Sequence, residues 1–220
     1  MKVNYTTPDV IGQDGKILRA NSSLEWAVVS GNIDGYSASI IKRRAVYYTA
    51  GLYMSCVISN ASITAESLIA LPILAPEWDA NITGLRFSLW SGGGSGRNVR
   101  LGVYRNTGDD TLYPNNLVYD SGDISTLLAG IKEVTPTVSC VARELLWITF
   151  FNSHAQTFAS VASNSGSSIL GYESFSAGNA ATYGHRVSTT FGALPDPYPT
   201  VGRVAATGNL PALFVRFEDA

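Results

Sequence analysis

Residues 145–151 read LLWITFF, a run in which only Thr149 carries a polar side chain. A strand that is apolar on both faces is covered on both sides by other parts of the protein. We therefore expect this run to form a central strand of a sheet, with Trp147 buried.

On the N-terminal side of this run, the sequence alternates between apolar and polar positions, as strands do when one face is buried. In residues 82–90, ITGLRFSLW, the apolar positions Leu85, Phe87 and Leu89 share one face. Residues 99–105, VRLGVYR, repeat the pattern. Both stretches are predicted to be half-buried strands.

Helical spacing of apolar residues is scarce, and turn residues punctuate the chain throughout. Further strand candidates are VYYTAGLYMSCVI, SLIALPIL, NLVYDSG, KEVTPTVSC, YGHRVSTTF and ALFVRF. About ten short strands predict an all-β fold, a β-sandwich or jelly roll. The loop SGGGSGRN, residues 91–98, is interpreted as a flexible hairpin, because it lacks the Lys-Ser/Thr ending of a phosphate-binding loop.

Residues 1–45 differ from the remainder of the chain. Their charges are six positive against four negative, and their apolar residues are dispersed. Such a segment has no core of its own and needs a partner to fold. The sequence therefore predicts two parts, an N-terminal arm at residues 1–45 and a β-sandwich domain at residues 46–220.

Composition excludes several classes of function. The net charge is -2 and only 15% of residues are charged, so the chain lacks the basic surface that nucleic-acid binding requires. Hydrophobic residues make up 45%, which is typical of a folded protein, yet no apolar run approaches the roughly 20 residues of a membrane span. We expect no nucleic-acid partner, no membrane insertion and, from the N-terminal residues, no secretory signal.

Residues with catalytic or metal-binding chemistry are sparse. The G-x-S-x-G pattern is missing, and His154 and His185 have no second ligand at metal spacing. We therefore expect no enzymatic activity, no catalytic or metal site and no cofactor, with both histidines structural or on the surface.

Acidic and sulfur-containing residues leave some alternatives open. The acids Asp109, Asp110, Asp120 and Asp123 lie in turn-rich sequence and are interpreted as turn residues, with a cation site or a glycosidase pair as the alternatives. Cys140 lies on the apolar face of a predicted strand. Cys56 and Cys140 are interpreted as buried thiols, with a bridge between them as the alternative.

Aromatic residues are the most plausible binding groups. The chain has eight Phe, eleven Tyr and four Trp, more than one sandwich core needs. Four of them fall at or near predicted loop boundaries and are candidate contacts for a saccharide: Trp90, Tyr113, Tyr172 and Tyr183. The alternative for each is a structural role in the sandwich or between subunits.

Two parts of the chain resemble bacteriophage fibre and virion structural proteins. Residues 12–26, GQDGKILRANSSLEW, resemble short segments of trimeric fibre stalks, and residues 46–220 resemble a β-sandwich domain of phage and prophage structural proteins. The landmarks occur in order: VYYTAG, LIALPILAPE, ITGLRFSL, VRLGVYRNTGDD, NLVYDSGDI, GIKEVTPTVS, LLWITFF, GHRVSTTFGALPDPYP and LPALFVRF.

This resemblance implies a homotrimer on the virion, assembled in the host cytoplasm, with its N-terminal arm contacting other virion proteins. Attachment to the host surface, through host glycans, is its expected use. A capsid-decoration or baseplate protein without a receptor is the alternative, and both a head and a tail location stay open.

Overall fold

The structure is a computed structural model that describes residues 16–18, 26–28, 47–50, 58–106, 112–161, 183–207 and 209–220. The chain divides into two compact units, Met1–Ile40 and Ile41–Ala220. Strands are numbered in chain order. In the first unit, β1 (Lys16–Leu18) pairs antiparallel with β2 (Trp26–Val28). The remainder of the predicted arm lies outside the described residues.

The described part of the second unit consists of two antiparallel sheets packed together, which confirms the predicted all-β sandwich. The first sheet contains β3 (Tyr47–Thr49), β4 (Ile58–Ile63), β6 (Ala80–Leu89), β10 (Gly130–Val134), β11 (Val138–Cys140), β13 (Gln156–Val161), β16 (Leu210–Pro211) and β17 (Phe214–Asp219). The second sheet contains β5 (Ser67–Leu74), β7 (Asn98–Asn106), β8 (Pro114–Asp120), β9 (Ile124–Ser125), β12 (Leu145–Asn152), β14 (Gly184–Ser188) and β15 (Val204–Ala206).

The predicted central strand LLWITFF is β12, and its position is confirmed. It lies between β5 and β7, so that Ile148 stands opposite Leu71 on one side and Val103 on the other. Seven of its eight residues are buried. Both edges of its backbone are therefore paired and both of its faces are covered.

A core of alternating apolar residues fills the space between the two sheets. The first sheet contributes Leu85, Phe87 and Leu89, as the alternation in residues 82–90 predicts. The rings of Phe87 and Phe150 meet edge-to-face with centroids 5.7 Å apart, and Phe158 contacts Phe150 at 5.0 Å. Such aromatic pairs add to the stabilisation from burial alone.

A second, smaller core covers the outer face of the second sheet. Residues 189–203, which include GALPDPYP, cross over this face and bury Tyr198 and Leu194 against Trp147. The hydroxyl of Tyr104 donates to the carbonyl oxygen of Pro195 at 2.6 Å, and that of Tyr198 donates to Leu68 at 3.1 Å. This cover explains why β12 is apolar on both faces.

The phenols of this outer core predict a loss of stability in alkaline solution. Burial raises the pKa of Tyr104 and Tyr198 well above the ordinary value of 10.0, with Asp120 and Asp196 adding to the effect at Tyr104. The unfolded chain therefore ionises these phenols first, so the stabilisation is complete below pH ~10 and is lost as the pH rises further.

Absorbance titration of phenolate checks this expectation. In the folded protein, a variant with Tyr104→Phe and Tyr198→Phe should show the same phenolate amplitude near pH ~10 as the wild type, because neither phenol ionises there. An amplitude reduced by two phenols would contradict the burial argument.

The structure corrects three local interpretations. Residues 91–98 are not a hairpin, because β6 and β7 belong to different sheets and the loop crosses between them. KEVTPTVSC forms two strands, β10 and β11, that are interrupted around Pro136, which has no N–H to donate to a sheet. The strand predicted at VYYTAGLYMSCVI reaches a turn at Ala50, and residues 51–57 lie outside the described residues.

Candidate binding surface

Trp90 lies at the end of β6 on the outer face of the first sheet. Because Leu85, Phe87 and Leu89 point into the core, the alternation directs Arg86, Ser88 and Trp90 outward. The backbone N–H of Trp90 donates to the carbonyl oxygen of Thr157 at 2.9 Å. Its backbone is therefore fixed while 65% of the residue is exposed.

The glycines after Trp90 bring the loop against residues 126–129. A Cβ atom added to Gly92 would lie 2.5 Å from the carbonyl oxygen of Leu127, a distance that real Cβ atoms essentially never show. The N–H of Gly93 donates to the carbonyl oxygen of Thr126 at 2.8 Å. These glycines permit a close approach of two backbones, which the interpretation as a flexible hairpin missed.

The segment that approaches this loop carries exposed apolar side chains. In the register of β6 and β10, Ile131 stands opposite Ser88, so Ile131 and Trp90 are diagonal neighbours on one face. We call the following residues the Trp90 patch: Trp90 (65% exposed), Leu127 (51%), Leu128 (70%) and Ile131 (69%).

A neutralised polar cluster adjoins the patch on the same face. Nη2 of Arg86 lies 2.7 Å from Oε2 of Glu133, and the hydroxyl of Tyr47 donates to Oε1 of the same carboxylate. The guanidinium of Arg86 also lies 3.9 Å from the ring centroid of Tyr47. Hydrogen bonds from Arg86 and then Tyr47 lower the pKa of Glu133. The charges of Arg86 and Glu133 are therefore paired with each other within the cluster.

Tyr113 is partly buried, and its ring contacts two other side chains. The guanidinium carbon of Arg203 lies 3.5 Å from its ring centroid, a cation–π contact, and the ring of His185 lies 4.8 Å away. His185 is itself buried, 5.2 Å from the ring of Trp147, and its Nε2 lies 3.1 Å from the carbonyl oxygen of Leu112. Tyr113 therefore helps to close the outer core.

Tyr183 belongs to the core between the sheets. It is 2% exposed, and its N–H donates to the carbonyl oxygen of Ala206 at 3.1 Å. No ring face is left for a ligand, so we remove Tyr183 from the candidate saccharide contacts. Tyr172 lies outside the described residues.

Trp90 and Tyr113 do not converge on one surface. The loop after Trp90 leads into Asn98, the first residue of β7, whereas Pro114 pairs with Asn106, the last residue of β7. β7 has nine residues, and the eight steps of about 3.3 Å between its first and last residue separate these ends by roughly 26 Å. The two aromatic side chains lie at opposite ends of the sandwich.

Asp120, at the end of β8, and Asp123, in the loop after it, make structural contacts. Asp120 lies 2.8 Å from Nη1 of Arg100, and Asp123 lies 2.7 Å from Nε of the same side chain. Oδ2 of Asp120 also accepts a hydrogen bond from the N–H of Leu194, at 3.1 Å, and so holds the crossing segment. Asp109 and Asp110 lie outside the described residues.

The structure also describes both histidines and one of the two cysteines that the sequence analysis considered. His154 is exposed, with Nδ1 3.0 Å from Oγ of Ser153, and His185 is structural as predicted. Cys140 is buried with Sγ 3.1 Å from the carbonyl oxygen of Ala80, on the apolar face that was predicted. Cys56 lies outside the described residues.

Sequence reasoning found Trp90 but missed its three aliphatic neighbours. Leu127, Leu128 and Ile131 fall in ISTLLAGI, residues 124–131, which has no strand alternation that would mark them as exposed. The signal available in the sequence was the pair Leu127-Leu128, which stands in a segment without a charged residue.

Among the described residues, no group of three or more His, Cys, Asp or Glu side chains is arranged to hold a metal ion. No helix suited to crossing a membrane occurs in that part of the chain. Comparison of the sequence with known protein families and with curated proteins found no match.

Proposed function

We propose that this chain is a non-enzymatic structural protein of a bacteriophage particle, whose β-sandwich is displayed on the particle and works by protein contact. Residues 1–45 then attach it to other virion proteins and hold it as a homotrimer. The virion assignment rests on the resemblance of residues 12–26 and 46–220 to fibre and virion proteins. The single observation that supports a contact function is the Trp90 patch.

The patch favours binding over chemistry for a physical reason. Large apolar side chains gathered at one exposed place on a folded domain are typical of interaction sites, since leaving them in water costs free energy. By contrast, three described side chains that could act in catalysis at the second sheet are engaged: Asp120 and Asp123 pair with Arg100, and His185 is buried against Trp147.

Attachment to host saccharides is the second candidate function, and the exposed indole of Trp90 favours it. An aromatic face on a fixed backbone is suited to stacking against a sugar ring. Tyr183 does not support it, because that residue is only 2% exposed, whereas the partly buried ring of Tyr113 stays a candidate contact.

The first test asks whether the protein is part of the particle. In particles purified from the phage that encodes this chain, immunoblotting and mass spectrometry should detect the protein in several copies. Particles that lack it while remaining complete in their other components would contradict the proposal.

The second test separates assembly from attachment. If the protein serves attachment, the full-length wild-type chain should adsorb to susceptible host cells, and Trp90→Ala should lower adsorption without changing the melting temperature. Failure of the wild-type chain to adsorb would reject attachment, while a structural role would remain supported by presence in the particle.

A further inference from the structure

Two polar side chains lie at the end of the sandwich beside the loop at residues 91–98. Gln156 begins β13, two residues before Phe158 of the core, and so lies on the inner face of the first sheet. Arg97 directly precedes β7, two residues before Val99 of the same core, and is half-buried. Both side chains therefore continue the inner faces of the two sheets, whereas Trp90 lies on the outer face of the first.

The glycines of the loop show that these two side chains lie close together. A Cβ atom added to Gly93 would lie well within 3.0 Å of Nε2 of Gln156 and 3.0 Å from Cδ of Arg97. A Cβ atom added to Gly94 would lie 3.5 Å from Nε of Arg97. The side chain of Arg97 therefore lies along the loop, near the amide of Gln156, in space that the two glycines leave open.

Neither polar group has a partner in the part of the chain that the structure describes. Nε2 of Gln156 is buried without a hydrogen-bond acceptor, and the residue is only 8% exposed. No described residue forms an ion pair or hydrogen bond with the guanidinium group of Arg97. Asp123, which accepts a hydrogen bond from the neighbouring Asn98, pairs with Arg100 instead. Because a buried amide without an acceptor costs free energy, a ligand that accepts from it gains affinity.

Thr126 fixes the backbone around these groups. Its carbonyl oxygen accepts from the N–H of Gly93 at 2.8 Å, and its N–H donates to the carbonyl oxygen of Arg97 at 3.0 Å. Its hydroxyl donates to the same carbonyl oxygen at 2.9 Å. Since Thr126 is completely buried, both ends of residues 93–97 are held in place before any ligand binds. Such preorganisation lowers the entropic cost of binding.

We propose that Gly93, Arg97 and Gln156, the Arg97 site, bind the carboxylate group of a small ligand. A guanidinium group and an amide nitrogen both donate, and the guanidinium fork matches the two oxygens of a carboxylate. One fixed positive charge balances one carboxylate, whereas a phosphate monoester carries about −1.5 to −2. The inference goes beyond the proposed function and does not rest on the assignment to a virion.

Saturation-transfer NMR with the full-length chain and glucuronate as the probe tests the inference at constant ionic strength. Glucuronate should bind, and acetate should displace it because both carry a carboxylate. Neutral glucose should not displace glucuronate, and inorganic phosphate should displace it less effectively than acetate does. Absence of glucuronate binding, displacement by glucose, or stronger displacement by phosphate than by acetate would each overturn the inference.

Two substitutions locate the binding. Arg97→Gln and Gln156→Leu should each lower the affinity for glucuronate about tenfold or more, because each removes a donor to a charged group. Arg203→Gln is the matched control: it removes the same charge beside Tyr113, at the opposite end of the sandwich, and should leave the affinity unchanged. Wild-type affinity in both Arg97→Gln and Gln156→Leu would overturn the inference.

Melting temperatures separate a binding role of Gln156 from a structural one. Gln156→Leu removes a buried amide that has no acceptor, so its melting temperature should equal or exceed that of the wild type. A lower melting temperature with unchanged affinity for glucuronate would show that the amide serves the fold and would overturn the inference. Detection of the chain in phage particles is independent of these measurements, so failure here is distinguishable from failure of the proposed function.

Discussion

Trp147→Ala should lower the free energy of unfolding by about 3–5 kcal/mol, the largest effect that we expect from a side-chain truncation. Trp147 is completely buried in the outer core, where it packs near His185 at 5.2 Å and donates from Nε1 to Oδ1 of Asn106 at 3.1 Å. Residues 189–203 pack over Trp147, and their backbone cannot move freely into the space that the indole leaves. The cavity created by the substitution therefore closes only in part.

Chemical denaturation followed by circular dichroism measures this effect, and the chain offers a matched control. Trp90→Ala removes the same side chain from a residue that is 65% exposed, so its stability should change by less than about 1 kcal/mol. Equal losses in the two variants would show that β12 and its cover are not the structural centre of the domain.

Gly184→Ala should destabilise the protein by about 1–3 kcal/mol although it adds only one methyl group. Gly184 is buried at the start of β14, and an added Cβ would lie well within 3.0 Å of the carbonyl oxygen of Ala70 on β5. Because that neighbour is backbone, the substitution must separate the two strands, whose register pairs His185 with Ala70.

Gly192→Ala is the control for this substitution. No atom lies within 4 Å of a Cβ added to Gly192, so its stability should stay within about 1 kcal/mol of the wild type. Comparison of the two unfolding midpoints checks the expectation. A Gly184→Ala variant that is as stable as Gly192→Ala would contradict the close approach of Gly184 to the backbone of β5.

The fold could be predicted where the burial of a residue follows from its position within its own strand. Alternation at Leu85, Phe87 and Leu89 predicts one buried face, and the apolar run around Trp147 predicts two. Alternation does not say which sheet a strand joins. That is why the loop between β6 and β7 was taken for a hairpin, although it crosses from one sheet to the other.

The candidate site was less predictable, because distant contacts decide exposure. The partly buried ring of Tyr113 contacts Arg203 and His185, which are far from it in the chain, and Tyr183 packs into the core beside Ala206. Conversely, the segment that carries Leu127 and Leu128 lies against the loop after Trp90, where Gly92 and Gly93 permit a close approach of the two backbones. No local pattern contains these contacts.

Cryo-electron microscopy of the purified phage particle tests the central claim most directly, since it shows both the location of the chain and its contacts. Density for the sandwich should project from the particle surface, with the Trp90 patch in contact with another protein of the particle. A complete particle without this sandwich would contradict the assignment to the virion. Sandwiches that are present but have the Trp90 patch in open solvent would contradict the proposed contact.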